Sequence, residues 1–459
     1  MFRSRTHRNI VMTEGSLWRS TLLFSLPLMF SGLLQLLFNA ADTIVVGRFS
    51  GQEALAAVGS VGSLNSLLIN MFMGLAVGTN VVVARYIGAK DLKNTRAAVH
   101  TAVCVSVVGG IILAVVGIAL ARPLLMLMDS PPDVIDLSVL YIRIIFIGLP
   151  VQMLYNFSAA ILRSVGDTKR PLYFLTAAGV INVILNLIFV IVFKMSVAGV
   201  ALATIISQAV SAFLVMRSLM LREDEVHLDI HQLRIHPKIL LEITRIGLPS
   251  GIQSSTFSIA NVMVQSSVNS FGTIAMAGNA AASNICSFVH QGVQSISQTV
   301  TAFSGQNMGA KKPRRILRAM WVCQAWNLLF TGLLGAGSYL FGNQLLGLYN
   351  TSPEVIRLGM ERMLVVNVPY FLLGISDVFS GTLRGIGYSL LPMAISLGGI
   401  CALRIVWIAT VFKLWPTMTG LMLTYPVSWL VTAIVMGFAF FILFKRTRSQ
   451  FTGAELSSD

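Results

Sequence analysis

The chain has 459 residues, 55% of them hydrophobic and only 11% charged, with a mean hydropathy of +0.78; no soluble domain keeps a hydrated surface on that composition. Lys and Arg outnumber Asp and Glu by 33 to 18, a formal net charge of +15. In a membrane protein such an excess marks the cytoplasmic side, so no nucleic-acid partner is expected.

The polar, basic stretch 1–19 leads into an apolar run that outlasts a signal-peptide core and has no small-residue cleavage site, so no cleavage is expected. A membrane-crossing helix needs about 20 apolar residues. Twelve such segments follow, near 20–46, 56–84, 97–120, 138–161, 171–193, 196–216, 243–269, 278–304, 318–341, 359–382, 390–412 and 419–444. Cys104, Cys286, Cys323 and Cys401 lie in or beside these segments with no CxxC spacing, and read as packing residues.

Basic residues fall on alternate connections. Lys90, Lys93 and Arg96 follow the second segment, Lys169 and Arg170 the fourth, Arg222, Arg234 and Lys238 the sixth, Lys311, Lys312, Arg314 and Arg315 the eighth, and Arg384 the tenth. The intervening connections carry at most one each, namely Arg48, Arg122, Lys194, Arg357 and Lys413. This pattern predicts a multi-pass protein of the cytoplasmic (inner) membrane with both termini in the cytoplasm.

The chain is duplicated. At an offset of 221 residues, Gly88-Ala89-Lys90 falls on Gly309-Ala310-Lys311, Pro132-Asp133-Val134-Ile135 on Pro353-Glu354-Val355-Ile356, Leu162-Arg163 on Leu383-Arg384, Gly166 on Gly387 and Pro171 on Pro392. Two halves of six spans each enter the membrane from the same side. The expected fold is therefore an all-α membrane protein of 12 transmembrane helices, in two six-helix lobes related by a pseudo-two-fold axis along the membrane normal. The lobes are expected at 1–216 and 243–459, with 217–242 as a cytoplasmic linker. Its Arg222-Glu223-Asp224-Glu225 run and its histidines His227, His231 and His236 read as a solvated connection rather than a metal site.

Apart from Glu361 at the very start of its span, the only carboxylates within the spans are Asp42 and Asp377, and a charge at the centre of a helix costs about 2.5–3.5 kcal/mol on insertion scales. Measured at ~1.5 Å per residue from the outer flanking charges, Asp42, Asn186, Asn182 and Thr204 lie at overlapping depths of about 9 to 18 Å. Helical spacing puts Gln35, Asn39 and Asp42 on one stripe, Asn182 and Asn186 on a second, and Thr204 and Gln208 on a third. Three polar stripes around one acid suit a small cation, Na+ or H+; taken pair by pair, the alternative is interhelical hydrogen bonding.

The second half does not repeat this set. Val264 stands for Asp42 at an offset of 222, and Leu403, Trp407 and Tyr425 for Asn182, Asn186 and Thr204 at 221. Its eighth span carries Ser283, Ser287, His290, Gln291, Gln294 and Gln298, a stripe suited to a wet cavity wall. His290 reads as a hydrogen-bonded structural histidine, and Asp377 as the partner of a basic residue near the cytoplasmic end.

Taken together, Asp42-Thr43-Ile44-Val45-Val46-Gly47, Ala54-Leu55-Ala56-Ala57, Gly88-Ala89-Lys90-Asp91, the run Leu162 to Pro171 and Arg245-Ile246-Gly247-Leu248-Pro249 make nearly the whole chain resemble the multidrug and toxic compound extrusion (MATE) family. The resemblance implies a carrier, not an enzyme, that exports amphipathic, often cationic compounds by alternating access against entry of Na+ or H+, with no cofactor beyond that coupling ion. It implies a cation site, for Na+ or a proton, at Asp42, Asn182, Asn186 and Thr204. Gln35, Asn156 and Gln208 match the family's first-lobe drug contacts, and Asn39, on the stripe of Gln35, is counted with them. Some members carry an acid where this chain has Asn186, and an acid in the seventh span that is missing here. The expected partners are a small amphipathic substrate and membrane lipid, with the chain acting as a monomer. A flippase for a lipid-linked precursor is the alternative on the same architecture, against which stands the small number of span arginines, Arg143, Arg362 and Arg404. The chain has no HExxH or GxSxG motif to support an enzyme.

Overall fold

The structure, a computed structural model, describes residues 9–127, 132–449 and 451. Arg3, Arg5, Arg8 and the carboxy-terminal tail, which enter the expectation for the termini, lie outside the described residues. Among those described there are helices and connections but no strand.

The first half contains α1 (Leu17–Phe49), α2 (Gln52–Gly88), α3 (Leu92–Leu127), α4 (Pro132–Ile147), α5 (Leu149–Ser164), α6 (Lys169–Leu187) and α7 (Ser196–Met220). The second contains α8 (Pro237–Asn269), α9 (Thr273–Gly309), α10 (Pro313–Leu340), the short α11 (Gly342–Gly347), α12 (Pro353–Arg362), α13 (Phe371–Gly385), α14 (Leu390–Ser396), α15 (Leu403–Ala409), α16 (Val411–Leu414), α17 (Met418–Met422) and α18 (Thr424–Ser449). Among the described residues, nine segments are long and apolar enough to cross a membrane, and α4 with α5, bent by 46° about Gly148, makes a tenth. α8 and α9, of 33 and 37 residues, are also long enough at ~1.5 Å per residue. Their Ser, Gln and Asn side chains lower their hydropathy, and with them the twelve spans are complete.

The internal repeat is written into the backbone. Lys90 and Lys311 both take the left-handed conformation, at φ 58° and 56°, as do Gly51 and Gly272 at 90° and 89°. Behind each lysine the next amide turns back onto the helix, Asp91 to the Tyr86 carbonyl at 3.0 Å and Lys312 to that of Asn307 at 2.9 Å. These bonds satisfy carbonyls that a helix end otherwise leaves open.

The chain divides into two compact units. Unit 1 holds Ile10 and Phe30–Leu248; unit 2 holds Val11–Met29 and the chain from Pro249 onward. The core of unit 1 includes Val82, Val99, Phe157 and Leu219, together with Ile239 and Ile243 from the start of α8. A Cβ on Gly78 would lie 2.3 Å from the Ile243 carbonyl oxygen, and one on Gly247 2.6 Å from the Leu75 Cα. Glycines thus let α2 and α8 touch backbone to backbone, as helices do where packing rather than water drives association.

The connection between α7 and α8 is largely exposed, Glu223, His231 and Arg234 among its residues, but part of it packs onto unit 1. Val226 and Leu228 are buried in the unit 1 core, and Arg222 forms a buried ion pair with Asp167 at 3.1 Å. The Asp229 amide donates to His100 Nε2 at 3.2 Å, and Thr101 bonds His236. The alternating Val226-x-Leu228 places both apolar side chains on one side, which the charges around them mask in the sequence. Unit 2 packs the start of α1 in the same manner: Phe24 meets Phe303 edge-on at 5.6 Å, Trp18 meets Trp326 at 5.4 Å, and Asn307 donates to the Met12 carbonyl at 3.1 Å.

Candidate cation site

Asp42 lies on α1, in unit 1, two turns before the helix ends at Phe49. One turn earlier, the ring of Phe38 occupies the place where Gly179 of α6 has no side chain; a Cβ there would lie 1.8 Å from the ring. This missing Cβ brings α1 against α6. Because residues three, four and seven apart share a helical face, the same contact aims Asp42 at the face of α6 that carries Asn182 and Asn186.

The four side chains form one hydrogen-bonded group. Asn186 Nδ2 donates to Asp42 Oδ1 at 2.5 Å and to Asn182 Oδ1 at 3.2 Å. Thr204 Oγ1, on α7, lies 3.5 Å from Asp42 Oδ2 and accepts from Asn182 Nδ2 at 3.4 Å. Asn182 and Asn186 are buried, at 5% and 0% exposure. The Asn186 side-chain oxygen is buried and has no hydrogen-bond partner among the described residues. A half-buried carboxylate and an idle amide oxygen in one cluster are oxygen donors for a hard monovalent cation, and protonation of Asp42 neutralises the same charge. Directly after Asn186 the backbone takes a π-turn, Ile188–Val192, a feature frequent beside functional sites.

The remaining sequence-selected residues do not join this group. Gln35 donates to Asn39 at 3.3 Å along the exposed side of α1. Asn156 on α5 lines a small cavity with Gln152, Phe72 and Met73, whose volume of about 10 Å³ holds about one water. Gln208 lies on α7 one turn beyond Thr204, and its backbone carbonyl accepts from the Ser211 hydroxyl at 2.8 Å. One residue without a polar stripe to single it out, Tyr141 on α4, lies within electrostatic reach of Asp42.

In unit 2, His290 is held on both ring nitrogens, by Tyr370 Oη at 3.1 Å and Gln294 Nε2 at 3.2 Å, the arrangement of a structural histidine. Asp377 and Arg384 interact electrostatically, and Ser297 bridges them: it accepts from Arg384 at 3.1 Å and donates to the Asp377 carbonyl at 3.2 Å.

Known proteins share this organisation. The family model described as MatE matches residues 27–188 and 249–410, one match for each half of the repeat. The chain is 30% identical over 400 residues to the probable multidrug resistance protein YoeA of Bacillus subtilis (strain 168), covering 86% of each chain. It is 27% identical over 395 residues to the probable multidrug resistance protein NorM of Thermotoga maritima, covering 83% of this chain and 82% of that one. An outward-facing multidrug resistance MATE family transporter of the MOP superfamily superposes with a TM-score of 0.90 at 22% identity, covering 97% of this chain and all of the other, a likeness of fold.

Proposed function

Because the chain belongs to the MatE family of membrane transporters, we propose that it exports amphipathic, cationic small molecules across the cytoplasmic membrane in exchange for entering Na+ or H+. The observation that carries this reading is the lone acid Asp42 in contact with Asn186 and Thr204, beside the Asn186 side-chain oxygen, which has no partner among the described residues.

A buried charge is costly unless something neutralises it. Entry of Na+ or a proton at Asp42 cancels the charge, and so does a cationic solute. Only one of them can do so at a time, and that competition couples solute exit to cation entry. When the cation binds, Asn186 and Thr204 give up their bonds to Asp42 and α1 repacks, with Pro27, which supplies no backbone N–H, as its bending point. Gln35, Asn39, Asn156 and Gln208 are assigned to solute contact. The transporter works as a monomer among membrane lipids, needs no cofactor and no nucleic acid, and keeps both termini in the cytoplasm, in line with the alternating basic connections.

The test is efflux of a fluorescent cation from vesicles under an imposed pH gradient and, separately, a Na+ gradient. Wild-type protein is expected to respond to one of them, and Asp42→Asn to neither while still inserting in the membrane. Gradient-driven efflux by Asp42→Asn at the wild-type rate overturns the reading.

A further inference from the structure

Unit 2 carries two buried arginines that nothing above uses. Arg404, 1% exposed on α15, donates to Asn261 Oδ1 at 3.0 Å and to Ser428 Oγ at 3.3 Å, and its Cζ lies 4.2 Å from the centre of the Tyr425 ring. Arg362, 5% exposed at the end of α12, interacts with the Cys286 thiol, and its buried Nε and Nη1 have no hydrogen-bond partner among the described residues. Tyr370 lies within electrostatic reach of both guanidinium groups. Trp429 packs on Tyr370 at 4.9 Å, and among the described residues its buried indole N–H, like the two Arg362 groups, has no acceptor.

Their place in the repeat is specific. At the offset of 221, Arg362 falls on Tyr141 and Tyr425 on Thr204, while Arg404 follows Leu403, the counterpart of Asn182. On the first helix of the half, Val264 replaces Asp42. The region that in unit 1 gathers an acid and oxygen acceptors therefore gathers, in unit 2, two cations and surplus N–H donors. Among the described residues neither arginine forms an ion pair. The acids nearest in sequence or in field are engaged elsewhere, Glu361 with Arg357 and the Thr419 hydroxyl, and Asp377 with Arg384. Both arginines also adjoin π-turns, Met363–Asn367 and Leu397–Ala402.

Arg404 has neutral acceptors in Asn261 and Ser428, but among the described residues neither guanidinium has a counter-charge, and a buried cation without one is expensive; the idle Arg362 and Trp429 donors call for an acceptor. Planar guanidinium donors match the oxygens of a carboxylate or phosphate. We propose that unit 2 binds an anionic group, the carboxylate or phosphate of an amphipathic solute or lipid, at Arg362, Arg404 and the Trp429 indole. The two halves of the duplicated chain have thus taken opposite charge preferences, and the solutes handled include molecules with an acidic group. This assignment rests on unit 2 alone and uses no coupling ion, so it stands or falls separately from the efflux reading.

Binding of radiolabelled benzoate to the purified full-length protein in phospholipid-free detergent tests it by equilibrium dialysis, with no gradient present. Saturable binding of about one benzoate per chain is expected, displaced by phenyl phosphate and not by benzylammonium. Arg362→Gln and Arg404→Gln are each expected to weaken it at least tenfold, and Trp429→Phe, which keeps the ring and removes the N–H, several-fold. Displacement by phosphatidylglycerol but not by phosphatidylcholine identifies a lipid headgroup as the natural occupant; displacement by neither identifies a free solute. Absence of saturable benzoate binding by the wild-type protein overturns the proposal whatever the variants do, and so does equal binding by wild type and all three variants.

Discussion

Asn186 and Asp42 stand 144 positions apart in the chain and share the short hydrogen bond at the centre of the proposed cation site. The same Asn186 amide also bonds Asn182, so one side chain orients both the acid and its neighbour. Asn182 reaches the acid only through Asn186 and Thr204.

That difference predicts a hierarchy. A hydrogen bond to a charged group contributes about 1.5–3 kcal/mol, so Asn186→Ala is expected to raise the cation concentration for half-maximal efflux by at least about tenfold. Asn182→Ala is expected to raise it only a few-fold. Dose-response curves for the coupling ion in vesicles check this; equal effects of the two variants would remove Asn186 from its central place.

The seat of Phe38 against Gly179 makes a packing prediction. Gly179→Leu forces side-chain atoms into the space of the Phe38 ring, and overpacking of this kind costs about 1–3 kcal/mol. Lower thermal stability in detergent and loss of gradient-driven efflux are both expected. Adding Phe38→Ala to Gly179→Leu should recover part of each, because the ring that clashed is gone. A double variant no better than the single one would assign the defect to another contact.

The buried pair of Arg222 and Asp167, 7% and 8% exposed, ties the α7–α8 connection to unit 1. Breaking a buried pair from one side costs about 3–5 kcal/mol, but Arg170 also reaches Asp167, at 3.4 Å and 35% exposed, so Arg222→Met is expected at or below the lower end. The double variant Arg222→Met, Asp167→Asn should be less destabilised than the sum of the singles. Denaturation of all four proteins closes the cycle, and strict additivity would show that the two side chains do not interact.

At the amino-terminal end of α3, outside the membrane, Asp91 accepts from the Asn94 amide at 3.1 Å and from its side chain at 2.7 Å. These bonds hold the Asp91 carboxyl below the usual carboxylate range. With the folded value depressed, the cap is complete above the unfolded value near 4 and is lost as pH falls through the folded one. Amide exchange at Asn94 should therefore be slow near neutrality and accelerate in acid beyond the intrinsic trend. Asp91→Ala should show fast exchange at every pH. An Asn94 amide equally protected in both proteins would rule the cap out.

Several features are encoded along the chain itself. Spans, their alternating basic connections and the duplication depend on local composition and on an offset, so they are legible in one dimension. Helical spacing likewise places Asn182 with Asn186 and Gln35 with Asn39, and the structure joins each pair by a hydrogen bond. Hydropathy was a weaker guide to α8 and α9, whose polar stripes dilute the signal of helices 33 and 37 residues long.

Other features exist only in the folded molecule. Which stripe meets which depends on helix rotation and on close contacts such as Phe38 with Gly179, between side chains far apart in sequence. Depth and the family resemblance group Asp42 with Asn186 and Thr204 along the sequence, but the individual bonds, Asn186 to Asp42 and Thr204 to Asp42, are set by the packing in three dimensions. The burial of Val226 and Leu228 in the unit 1 core is of the same kind, since the charges around them dominate the local composition. So is the crowding of Arg362, Arg404 and Trp429 around Tyr370, because a linear sequence shows how many donors a chain has, while the packed interior determines which of them are left without an acceptor.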